Sequence, residues 1–167
     1  MGSGVERHDA LAAPVGRWLA TQGVHLLTGG GGGVMEAVSE AFAQVQGRHG
    51  LVIGVLKGFP TADGHVTAAT PNRWVEVPIR THLPLSGAQG TDPHSRNHIN
   101  VLTADLVVAL PGGEGTRSEA VLAVRYARPI VAFVAPDGLP PGWPPVPCAT
   151  TFERFVQLAG PLLERLT

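Results

Sequence analysis

"DLVVALPGGEGTRSEAVLAVRYARPIVAFV", residues 105–134, reads as a strand, a glycine loop, a helix and a second strand. The runs DLVVAL (105–110) and PIVAFV (129–134) are short, continuous and rich in β-branched residues, the pattern of strands buried on both faces. Between them TRSEAVLAVRYA (116–127) predicts a helix. Upstream the same alternation recurs. VHLLT (24–28), LVIGVL (51–56) and WVEVPI (74–79) predict strands, and VMEAVSEAFAQVQ (34–46) and HSRNHINVLT (94–103) predict helices. His8–Gln22 sets Leu11, Val15 and Leu19 four apart beside Trp18 and stops at Gly23, as an amphipathic helix does. A proline-rich loop crosses 135–147, and Phe155, Ala159, Leu162 and Leu166 predict a closing helix. Strands alternating with helices pair in parallel and carry helices on both faces. The expectation is one α/β domain over residues 1–167, a Rossmann-like, doubly wound parallel sheet in three α/β/α layers.

Such sheets bind ligands beyond the carboxyl ends of their strands. Two glycine clusters fall there, Gly29–Gly33 after VHLLT and Gly112, Gly113 and Gly115 after DLVVAL. Glycines allow conformations and close approaches that a Cβ forbids, and the helix behind them offers free N–H groups and a positive dipole end. The second loop is thus built like an anion cradle. It is not a Walker A loop, because no Gly-Lys-Ser/Thr follows, and its context is not that of a dinucleotide fingerprint. Thr116 and Glu119 also have the Thr-x-x-Glu spacing of a capping box, in which the glutamate would only satisfy a backbone N–H.

Composition narrows the partners. Net charge is -1 over 167 residues, which leaves no basic stripe for nucleic acid and no polybasic segment for a membrane surface. The single Cys148 cannot form an internal disulfide, and a cytoplasmic location is expected. Among prolines and without a base partner, Cys148 reads as structural. Of twelve basic residues only Lys57 is a lysine. A pyridoxal enzyme needs a Schiff-base lysine, and no pattern around Lys57 gives it that role; at a strand end it reads as solvent-exposed or phosphate-facing. Asp92, His94 and His98 could form a metal face, but a third clear ligand is missing. Neither a metal nor a resident cofactor is expected. The run 81–93 is long enough to be a flap over a ligand or a plain surface excursion. Trp74 and Trp143 read as core or rim packing.

TGGGGGVMEA (28–37), the arginine of HSRN (94–97) and PGGEGTRSE (111–119), in that order, resemble the LOG family, often labelled lysine decarboxylase-like. The resemblance covers roughly residues 2 to 134. It implies a phosphoribohydrolase that releases the free base from a nucleoside 5′-monophosphate and leaves ribose 5-phosphate. It carries over Arg96 and Glu119 as catalytic residues. Gly112, Gly113, Gly115 and Thr116 match the phosphate loop, and Gly30, Gly31, Gly33 and Met35, with Glu36, fall on the opposite glycine loop. A carboxylate would stabilise the positive charge that develops on the ribose, and Arg96 would offer its donor fork to the phosphate or the departing base. LOG-like chains are commonly homodimers, and the apolar residues of 94–103 and 116–127 would fit such an interface.

Two departures open an alternative. The family's His-x-Arg-Lys reads HSRN here, with Asn97 in the lysine position, and SRNHINVLTADLVVA resembles the molybdenum cofactor carrier proteins of the same superfamily. Those bind a phosphorylated pterin, molybdopterin, without turning it over. Glu114, inside the loop, suits a bound dianion only if its side chain points to solvent. LOG-like chains also begin with a strand leading into a Gly-Ser turn, and MGSG matches that turn without the strand. The expectation is that residues upstream of Met1 belong to the natural protein and that neighbouring strands expose backbone donors; the alternative is a vector-derived start and a rearranged sheet.

Overall fold

A computed structural model describes residues 1–165. Helix α1 (Asp9–Thr21) leads to strand β1 (Leu26–Thr28), α2 (Val34–Ala43) and β2 (Val52–Leu56). A hairpin of β3 (Gly58–Pro60) and β4 (Val66–Ala68) precedes β5 (Val77–Arg80). Then come α3 (Asn97–Thr103), β6 (Val107–Ala109), α4 (Glu114–Arg125), β7 (Ile130–Phe133), β8 (Cys148–Ala149) and α5 (Phe152–Glu164). Leu166, expected on the last helix, lies outside the described residues.

The fold is Rossmann-like α/β, with parallel strands flanked by helices. Its parallel strands form two three-stranded groups, β1-β2-β5 and β6-β7-β8. The register runs Leu26↔Val52 and Ile53↔Val77 in the first group, Val107↔Ile130 and Ala132↔Cys148 in the second. Beside β6 lies the start of the chain. The Met1 ammonium donates to the Val108 carbonyl at 2.8 Å, and the Leu110 N–H donates to the Met1 carbonyl at 2.9 Å. Met1 therefore takes parallel register opposite Ala109, and the Ser3 N–H continues the run to the Pro111 carbonyl.

Apolar spacing explains the packing. Ala12, Val15 and Leu19 of α1 recur at helical spacing and are buried with Val34, Val38 and Phe42 of α2. The two helices cross closely because Gly16 has no Cβ; one there would stand 2.5 Å from the Val38 carbonyl oxygen. On the same side Phe155 of α5 stacks on Phe133 of β7 at 5.5 Å and meets Trp18 edge-on at 5.4 Å. The other core holds Val101 of α3, Ala120 and Leu122 of α4, and Ile130 and Ala132 of β7.

Several expectations are corrected. The strand predicted at 74–79 begins at Val77, because Asn72 folds residues 72–75 into a turn. The Trp74 N–H donates to Asn72 Oδ1 at 3.1 Å, while the Asn72 N–H and side-chain amide donate to the Gly30 and Gly31 carbonyls. Helix α4 begins at Glu114, two residues before the predicted start, so Thr116 stands inside the first turn and no side chain caps the helix. The capping-box reading of Thr116 and Glu119 therefore fails. The hairpin β3–β4 and the two-residue β8 were not anticipated, since glycine and proline punctuate both segments and neither exceeds three residues per strand.

Candidate functional site

A cavity of about 480 Å³ opens at the carboxyl ends of β1, β2 and β6, lined among others by Thr28, Lys57, Arg96, Asn100, Thr116 and Glu119. Strand ends bring the two glycine loops to it, Arg96 precedes α3 at its N-cap, α3 supplies Asn100, and α4 supplies Thr116 and Glu119.

The loop 111–115 closes on the helix start. A Cβ on Gly112 would stand 2.1 Å from Thr116 Oγ1 and 2.7 Å from the Ser3 amide nitrogen, so only glycine fits there. Gly113 and Gly115 line the cavity beside Thr116. The first intrahelical bond comes from the Arg117 N–H to the Gly113 carbonyl at 3.1 Å. The N–H groups of Glu114, Gly115 and Thr116 therefore have no acceptor within the helix. Thr116 is 2% exposed, and its hydroxyl has no protein partner. Glu114 points outward, its side chain 62% exposed and paired with Arg117 at 3.0 Å, so its charge does not oppose an anion in the loop.

Arg96 is 9% exposed. Its Nη1 donates to the Gly29 carbonyl at 2.5 Å and to the Val55 carbonyl, holding the ends of β1 and β2 together. A Cβ on Gly29 would stand 2.4 Å from Arg96 Nη2, which explains that glycine. Burial pushes the guanidinium's pKa down, and the Glu119 charge opposes the shift. Glu119 Oε1 accepts from Asn100 Nδ2 at 3.1 Å, while Asn100 Oδ1 and Arg96 Nε, both buried, have no protein partner. Asn97, in the position where the resemblance expects lysine, is buried and donates to Ser118 Oγ at 3.0 Å. Ser118 in turn donates to the Gly115 carbonyl at 2.8 Å, bracing the loop from beneath.

The first glycine cluster is used differently. Gly30 has φ 70 and donates its N–H to Thr28 Oγ1 at 3.0 Å. Gly33 has φ 62, and a Cβ there would stand 2.5 Å from the Ser3 carbonyl oxygen. That carbonyl accepts the Val34 N–H at 2.9 Å, so backbone already fills part of the α2 N-terminus. Gly30, Gly31 and Met35 line the cavity, whereas Gly33 packs against residues 3–5 outside its wall. Glu36 faces Arg7 at 3.8 Å.

Lys57, at the end of β2, also lines the cavity, its Nζ 5.5 Å from the Phe59 ring centre. Ser86 and Gly87 bring the 81–93 segment to the rim. The His94 and His98 side chains do not converge. His94 pairs with Asp92 at 3.1 Å, while His98 Nε2 donates to the Asp92 carbonyl and Nδ1 accepts from the Tyr126 hydroxyl at 2.7 Å. Among the described residues no three metal-ligating side chains come together. Burial raises the Cys148 thiol's pKa, Trp143 packs on the α4 core, and Trp74 lies under the Arg73 guanidinium at 4.7 Å. Asn100 and Ser118 escaped the sequence reading, although Asn100 stands four residues after Arg96 on one helix face.

Fold and cavity together define a Rossmann-like protein in which the open start of α4 faces a cavity at the carboxyl ends of the parallel strands. The chain belongs to the SLOG cluster4 family, whose model matches residues 1–144. It is similar to the molybdenum cofactor carrier protein of Chlamydomonas reinhardtii, at 26% identity and a TM-score of 0.68, covering 93% of this chain and 88% of that one. The molybdenum cofactor binding protein of Rippkaea orientalis is similar at 26% identity and a TM-score of 0.65, covering 93% and 87%. An uncharacterised protein of Archaeoglobus fulgidus is 28% identical over 126 residues, 75% of this chain and 70% of that protein. No helix among the described residues is long and apolar enough to cross a membrane.

Proposed function

We propose that this chain is a cytoplasmic binding protein for a small phosphate monoester of the molybdopterin type, which it holds without turnover. The observation that favours a carrier is the state of Arg96, whose Nη1 is committed to the Gly29 and Val55 carbonyls. A guanidinium used in this way organises the walls of a cavity instead of presenting its fork to a reacting group. The phosphate would sit on the N–H groups of Glu114, Gly115 and Thr116, with the Thr116 hydroxyl as a further donor. Gly30, Gly31 and Met35 would form the facing wall. The likeness to two molybdenum cofactor proteins supports the same ligand class.

Glu119 favours a second reading, that of a nucleoside 5′-monophosphate phosphoribohydrolase. It stands three residues after Thr116, about 4.5 Å further along the helix axis, where the ribose of a nucleotide would lie. Among the described residues only the Asn100 side chain donates to it, so a carboxylate is available to stabilise charge and orient water. Incubation with AMP and N6-substituted AMP, followed by chromatography for free base, separates the two. Base release by the wild type that is lost in Glu119→Gln establishes the hydrolase; binding without release in either protein supports the carrier. A homodimer through α3 and α4 is part of the proposal, since Leu102 and Val124 there are 44% and 50% exposed. Sedimentation velocity giving a monomer at micromolar concentration would remove it.

A further inference from the structure

We infer that Lys57 is a second anion contact, and that the ligand bears two anionic groups separated by the width of the cavity. The inference rests on the binding function proposed above and adds a feature of the ligand to it. Three cationic groups border the cavity: Arg96, Lys57 and the Met1 ammonium. Two of them already donate to protein carbonyls, although Arg96 Nε has no partner. Arg96 donates to two carbonyls and feels the Glu119 charge, and the Met1 ammonium donates to the Val108 carbonyl. Lys57 has no carboxylate and no hydrogen-bond acceptor among the described residues, and its only described partner is the face of Phe59. The carboxylates of the hairpin and of the strand alongside are taken elsewhere: Asp63 accepts from Thr61, and Glu76 pairs with Arg48.

Position decides what this charge can reach. The α4 start follows β6 and Lys57 follows β2, whose two neighbours in its group are β1 and β5, so β6 is not adjacent to β2. At least two strand spacings separate the two points, roughly 10 Å. A phosphate seated at Gly115 and Thr116 therefore lies beyond direct contact with the Lys57 ammonium. A ligand that fills the cavity brings its opposite end to Lys57 instead. An ammonium on a flexible stem, resting on an aromatic ring, suits a compact or variably placed anion at that end. A nucleoside monophosphate with a neutral base would leave the charge unmatched, whereas a phosphate monoester with an anionic far end would satisfy both sites.

Matched probes test this without knowledge of the natural ligand. Hexyl phosphate carries one phosphate; 1,6-hexanediol bisphosphate carries two, which when extended stand at least two strand spacings, roughly 10 Å, apart. Calorimetric titration of the wild type should show the bisphosphate binding about tenfold more tightly, the worth of one charge-assisted contact at a half-exposed site. Lys57→Gln should abolish that preference and leave hexyl phosphate affinity unchanged, and Lys57→Arg should keep it. Unaltered melting temperatures would establish that both variants fold. Equal binding of the two probes by the wild type, or a preference that survives in Lys57→Gln, overturns the inference while the phosphate site stands. Failure of the wild type to bind either probe removes the proposed binding function and the inference with it.

Discussion

Replacing Thr116 by valine should move stability and affinity in opposite directions. The Thr116 hydroxyl is buried against the glycine loop without a protein partner, in a residue only 2% exposed. An unsatisfied buried hydroxyl costs about 1–3 kcal/mol. Valine keeps the shape, removes the polar atom and has nearly the same helix propensity. The ligand-free protein should therefore gain on the order of 1 kcal/mol, which raises the melting temperature of a chain of this size by about 2–4 °C. Binding should respond the other way. If the hydroxyl donates to a phosphate oxygen, its loss removes a charge-assisted bond worth about 1.5–3 kcal/mol, a weakening of roughly 10- to 150-fold. Differential scanning calorimetry of the free protein and titration with hexyl phosphate read the two effects separately. A variant that is less stable by 1 kcal/mol or more and binds as the wild type does would show Thr116 to be a structural residue, and the anion-cradle reasoning would be wrong.

Other substitutions test neighbouring parts of the argument. Gly112→Ala should destabilise by about 1–3 kcal/mol, since its Cβ meets the Ser3 backbone as well as Thr116 Oγ1. Gly113→Ala should stay within about 0.5 kcal/mol, because a Cβ there has open space around it and a lost cap preference offsets a gain in unfolded-state entropy; urea titration of both checks the contrast. Arg96→Met should lower stability by at least about 2 kcal/mol, leaving the Gly29 and Val55 carbonyls without their shared donor; unchanged stability would return the guanidinium to the ligand. Glu76 accepts from Arg48 at 2.9 Å and from the Val52 N–H at 2.9 Å, and these bonds hold its carboxyl below the usual carboxylate range. Its contribution is therefore complete above the ordinary glutamate value and is lost as pH falls through the lower folded value. The stability gap between wild type and Glu76→Gln should be constant near neutrality and close in acid, and a gap independent of pH would contradict the pairing.

The elements that were legible in the sequence are those whose periodicity reports burial. LVIGVL, DLVVAL and PIVAFV are buried strands in both readings, and Ala12, Val15 and Leu19 do pack on α2. What could not be read depends on contacts between distant segments. Trp74–Glu76 has strand composition, yet Asn72 holds the segment in a turn through two carbonyls of the first glycine loop, an interaction 41 residues away in the case of Gly31. Thr116 and Glu119 fit a capping box by spacing alone, but the helix begins earlier, with Gly113 at its N-cap, so both residues line the cavity and Glu119 bonds to Asn100 of α3.

The glycines show the same limit at the site. Both clusters stand at strand ends, so both read as ligand loops, but spacing cannot tell a glycine cleared for a ligand from one cleared for protein. Gly29 makes room for Arg96, Gly33 for Ser3–Val5, and Gly112 for Ser3 and Thr116. A Cβ on Gly113 would meet nothing, and one on Gly115 would stand 3.5 Å from Gly87 across the rim. The helix start behind these two is open, whereas the α2 start is partly filled by the Ser3 carbonyl. One strand end therefore presents donors to the cavity while the other mainly joins the walls. Arg96 belongs with the joining set: the guanidinium that the family resemblance carries over as catalytic is hydrogen-bonded to the backbone that shapes the cavity.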